Sequence, residues 1–88
     1  MRVLHFYTMK HEPERVRAVA PRHSAYWRDV GVQGYQGGPF DDRSGGLITF
    51  EVDSREGAER LIAADPFVRE GLLEASWVKG WVVDDVDL

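Results

Sequence analysis

Residues Gly45–Leu72 read GGLITFEVDSREGAERLIAADPFVREGL, and the spacing of their apolar side chains changes part-way along. Ile48, Phe50 and Val52 alternate with Leu47, Thr49 and Glu51, which predicts a strand with one apolar face and one mixed face. From Ala58 the spacing becomes three and four: Ala58, Leu61, Ile62 and Asp65 share one face of a helix, with Ser54 placed to cap it. Pro66 ends that helix, because the residue before a proline avoids the α region. Asp65 thus stands where the pattern asks for an apolar side chain. One reading is structural: with Pro66 at the first helical position, Asp65 caps the short turn PFVREG. The other is chemical. A carboxylate at the negative end of the preceding helix is disfavoured unless a cation or hydrogen-bond donors compensate it, and a histidine would serve.

Upstream, VQGYQGGPF (residues 32–40) predicts a glycine-broken strand, and DDRSGG supplies the turn of a hairpin into LITFEVD. Before it, HEPERVRAVAPRHSAYWRDVG (residues 11–31) reads as helix, with Pro13 near the first turn and Gly31 at the end. Proline inside a helix costs roughly 3 kcal/mol, so Pro21 predicts a break or a fresh start and a durable helix over 21–30. RVLHFYTM at the amino end and LLEASWVKGWVV at the carboxyl end are the remaining strands. The order β-α-β-β-α-β is an α+β, ferredoxin-like arrangement with a four-stranded antiparallel sheet. Helices cover one sheet face only, and the other needs a partner. Trp77 and Trp81 share one face of the final strand with Lys79 between them, and a domain this small often gains stability by pairing with a copy of itself. The expectation is a homodimer held by that face.

The 88 residues suit one domain, here residues 1–83, followed by an acidic tail at 84–88. With no cysteine, the chain has no disulfide, thiolate metal site or thiol nucleophile. The amino terminus lacks a signal-peptide pattern and no stretch is long enough to span a membrane, so cytoplasmic residence without membrane contact is expected. A net charge of −4 disfavours nucleic acid. Arg15, Arg17, Arg22 and Arg28 lie among Glu12, Glu14 and Asp29, as on a solvated helix face.

His23, Tyr26, Trp27 and Val30 also fall on one helical face, so each helix turns one titratable group toward the sheet. Two such groups form a candidate acid/base pair, since burial and proximity are what tune pKa values. A histidine at the edge of an apolar face also serves simply as a satisfied core or rim residue. His5, His11 and His23 lack metal-site spacing, and GGPF and SGG lack the strand-turn-helix context of a phosphate or dinucleotide loop and read as turns. Neither a metal nor another cofactor is expected.

An amino-terminal strand, a helix bearing His23, Gly38-Pro39 after a second strand, Ala64-Asp65-Pro66-Phe67 closing the second helix, Gly71, and Trp81 in the last strand together resemble the YCII-related domain family. The resemblance runs from Arg2 to about Val83. It implies a ferredoxin-like fold that dimerises through its sheets into an α/β barrel, with a histidine and an aspartate in a pocket. Some members are dehydrochlorinases acting on chlorinated hydroxyquinol compounds. On that basis His23 and Asp65 are the catalytic candidates, and His5, Tyr7, Gly38, Pro39 and Phe67 are candidates for the wall that binds a small-molecule ligand. One departure concerns charge: the arginine that family members often carry three positions before the histidine is Ala20 here, Arg22 stands beside the histidine, and Ser24 follows it. The expected activity is a lyase- or isomerase-like step on a small cyclic or aromatic substrate, with His23 moving the proton and Asp65 orienting it. The alternative is a non-catalytic metabolite-binding or regulatory module.

Overall fold

The computed structural model describes residues 1–84, so the acidic tail, apart from Asp84, lies outside the described residues. The elements follow the predicted order: β1 (Arg2–Met9), α1 (Pro13–Val30), β2 (Gln33–Pro39), β3 (Gly45–Glu51), α2 (Arg55–Ala63), a short α3 (Pro66–Arg69) and β4 (Leu73–Trp81). All strand pairs are antiparallel and the sheet order is β2-β3-β1-β4. This is the ferredoxin-like α+β arrangement.

Register settles which side chains meet the helices. Val3, His5 and Tyr7 lie opposite Phe50, Ile48 and Gly46 on one side and Gly80, Val78 and Ser76 on the other. These positions point inward, and Val3, His5, Ile48 and Phe50 are almost completely excluded from solvent. Val19 and Trp27 of α1, Ala58 and Ile62 of α2, Phe67 of α3 and Leu72 complete the core against them. Burying such side chains is worth about 1.5–3 kcal/mol each, enough to hold helices too short to persist alone.

The opposite sheet face carries Leu4, Phe6, Leu47, Trp77 and Trp81. Phe6 stacks on Trp77 at 4.9 Å, yet Trp77 and Trp81 remain 42% and 44% exposed. Thr49 sits on this outer face but is buried, because Arg2 spans it, donating to Thr49 Oγ1 and to the Gly34 carbonyl while pairing with Glu51.

Two expectations need correction. Helix α1 runs unbroken through Pro21 and ends at Gly31 in the left-handed conformation (φ 68°). Pro21 and Arg17, four residues earlier, are both exposed, so water can take up the carbonyl that loses its partner. Buried Val19 and Trp27 anchor the helix on either side. The glycines of GGPF and SGG are mostly not turn residues either. Gly37 and Gly38 end β2, Gly45 and Gly46 begin β3, and the turn itself is residues 40–44.

Candidate active site

At the α2–α3 junction the chain leaves the helical region at Asp65 (φ −62°, ψ 131°), as Pro66 requires, and re-enters it at once. The Asp65 side chain therefore turns back into the molecule, where it is 1% exposed. Its Oδ1 accepts the Phe67 backbone N–H at 2.8 Å, and its Oδ2 accepts Trp27 Nε1–H at 2.8 Å. His23 Nδ1 lies 2.9 and 2.8 Å from the two oxygens. With both oxygens already accepting, Nδ1 is assigned as the donor and Nε2 is the ring nitrogen left for chemistry. Asp65 is thus the cap of α3 and the partner of His23 at the same time. Trp27 and Phe67 N–H supply the further donors that a buried carboxylate needs.

His23 and Trp27 are one helical turn apart on α1, so both reach the same carboxylate. Phe67 stacks on the His23 ring at 4.3 Å and fixes its plane. Arg15 and Arg22 of α1 reach Glu70 at 3.9 and 3.6 Å, and Arg15 also donates to the Glu70 carbonyl, tying α1 to the end of α3.

His23 lies on the wall of a cavity of about 410 Å³, within the range of small-ligand sites. Tyr7, Gly38, Pro39 and Phe67 line it with His23. His5 does not. It lies under the helices at 1% exposure, with its ring 5.0 Å from Tyr7 and neither ring nitrogen paired among the described residues. Burial lowers its pKa from 6.5 to about 4, against the raising effect of Asp65.

The polar cavity residues Tyr35, Ser24 and Arg43 escaped the sequence reading of the site, as did Met9, Val16, Ala20, Gly37 and Gly45. So did Trp27, which holds Asp65 from behind. Its place four residues after His23 was the signal available for it. Tyr35, whose ring stacks on Trp27 at 5.8 Å, gave no comparable signal, because β2 has no clear alternation. Burial raises the pKa of both Tyr7 and Tyr35, so each phenol remains a hydrogen-bond donor at neutral pH. The described residues hold no cluster suited to a metal ion, and no helix among them is long and apolar enough to cross a membrane.

A family profile described as the YCII-related domain matches residues 1–82. Comparison with curated proteins gives no match. Among solved structures, 5-chloro-2-hydroxyhydroquinone dehydrochlorinase (TftG) from Burkholderia phenoliruptrix AC1100, in complex with 2,5-dihydroxybenzoquinone, superposes with a TM-score of 0.77 and 26% identity. The match covers 93% of this chain and 94% of that one. Rv0793 from Mycobacterium tuberculosis shares the fold, with a TM-score of 0.55 and 14% identity over 97% of this chain and 96% of that one.

Proposed function

The chain belongs to the YCII-related domain family, and from that premise we propose that it is a cofactor-independent acid/base enzyme acting on a small cyclic or aromatic substrate. The observation that carries this reading is the 2.8 Å contact of His23 Nδ1 with a buried carboxylate, on the wall of a cavity. Asp65 orients the imidazole, and Nε2 takes a proton from a ring carbon next to a carbonyl. The imidazolium that forms is stabilised by Asp65. The electron pair left on the substrate either expels a leaving group from the adjacent carbon, a lyase step, or is reprotonated elsewhere, an isomerase step. The dehydrochlorinase activity of the Burkholderia neighbour is an elimination of the first kind and supports that branch.

A second copy of the chain completes this proposal. The outer sheet face, with Leu47, Trp77 and Trp81 exposed, is the surface through which two copies pair. Sedimentation at micromolar concentration should give a dimer, and Trp77→Lys should give a monomer.

The catalytic test is exchange of carbon-bound hydrogen in deuterated water, followed by NMR on a panel of small cyclic hydroxy-carbonyl compounds that includes 2,5-dihydroxybenzoquinone. The wild type should catalyse exchange or elimination on at least one compound, and His23→Gln should lose at least about a hundredfold in rate. A wild type that binds a compound saturably but never exchanges or eliminates would return the protein to the metabolite-binding alternative.

A further inference from the structure

The sheet side of the cavity holds polar groups that the acid/base pair does not use. Tyr7 of β1 is 5% exposed, and its hydroxyl has no hydrogen-bond partner among the described residues although the ring lines the cavity. The hydroxyl is not one of the buried orphaned atoms, so it is open to the cavity, where a ligand can accept from it. The backbone around it is cut away. A Cβ on Gly46 would lie 2.7 Å from Tyr7 Oη, and one on Gly37 would lie 2.5 Å from Tyr35 Oη. Each of these glycines leaves room for a phenol.

Arg43 sits in the hairpin turn with φ 64°, a left-handed conformation that is uncommon for a residue other than glycine, and it also lines the cavity. It forms no ion pair among the described residues. Its neighbour Asp42 is occupied by Ser44, whose backbone N–H and hydroxyl both donate to it at 2.9 and 2.6 Å. Among the described residues the cavity lining contains this one guanidinium and no carboxylate, in a chain whose net charge is −4.

We propose that Tyr7, Tyr35 and Arg43 form an oxyanion-binding wall facing the His23 side of the cavity, and that the ligand is a small ring bearing an ionised oxygen. The inference rests on the reading of this cavity as a substrate site and adds what the site selects. The two phenols donate to a ring oxygen and Arg43 neutralises its charge. During proton removal by His23, negative charge develops on the carbonyl oxygen beside the deprotonated carbon, and a phenol of the wall that donates to this oxygen favours the transition state.

The probes are 2,5-dihydroxybenzoquinone, whose hydroxyls ionise at neutral pH, and 2,5-dimethoxybenzoquinone, whose corresponding oxygens cannot. Calorimetry on the wild type should show at least about tenfold tighter binding of the ionised probe, roughly the effect of one charge-assisted hydrogen bond. Arg43→Asn tolerates the left-handed turn and should remove that preference, while Arg43→Lys should keep part of it. Tyr7→Phe should weaken the ionised probe about tenfold, with thermal melting checked alongside. His23→Gln should bind the probe while losing exchange, which separates this inference from the catalytic reading. Absence of a preference in the wild type, including failure to bind either quinone, would overturn the oxyanion wall, as would Arg43→Asn binding both probes like the wild type.

Discussion

Asp65 and His5 are both polar, both 1% exposed and both beneath the helical layer, yet one is fully partnered and the other has no partner among the described residues. Asp65 stands at a helix junction, where a free backbone N–H and two side chains of α1 converge on it. His5 stands in mid-strand, where the backbone groups are committed to the sheet and its cross-strand neighbours are Ile48 and Val78. A chain end or junction offers spare donors; the middle of a sheet offers only side chains. The Asp65 side chain is therefore satisfied where it is buried, while burial lowers the pKa of the His5 imidazole.

The largest expected effect comes from breaking the partnered group. Asp65→Ala strands Trp27 Nε1–H and the Phe67 N–H and removes the partner of His23. Chemical denaturation should show a loss of roughly 3–5 kcal/mol. A loss below about 1 kcal/mol would mean that Asp65 is only a cap.

The orphan should show itself through pH. An unfolded histidine titrates near 6.5 and folded His5 near 4, so the unfolded state binds the extra proton between those values. The stability associated with neutral His5 is complete above pH 6.5, falls as pH drops toward 4, and levels off below it, for a total of about 3 kcal/mol. Carboxylates titrate in part of that window, so the measurement is the difference between wild type and His5→Leu across it. At pH 7 the same variant should be more stable than wild type by about 1 kcal/mol, because an unpaired buried group has gone. A variant that matched wild type at every pH would place a hidden partner on His5.

Trp27→Phe sharpens the comparison from the other side by taking one donor from Asp65 while keeping an aromatic ring against Phe50. The expected loss is about 1–2 kcal/mol, together with altered ring ¹⁵N shifts at His23. Ser54→Ala gives the exposed reference. Ser54 accepts the Gly57 N–H much as Asp65 accepts that of Phe67, but at the surface, so about 1 kcal/mol should be lost. The excess at Asp65 then measures what burial adds to a capping contact.

Much of this molecule was legible in its sequence because the deciding signals are local. The alternation of Ile48 and Phe50, the Ser54 and Asp65 caps, and the Gly31 stop each depend on a few neighbouring residues and on backbone rules that hold in any fold. They fixed the element order and placed His23 and Asp65 on inward faces. Pro21 misled because local propensity cannot tell whether the freed carbonyl meets water or protein. Tertiary structure alone decided that Asp65 meets His23 and Trp27, since it lies 42 and 38 residues from them in the chain and contact depends on how α1 is laid across the sheet. It alone decided that Tyr7 reaches the cavity while His5, two residues away on the same strand face, does not. Period two gives a side chain its face, but what lies above that face is set by the packing of distant elements.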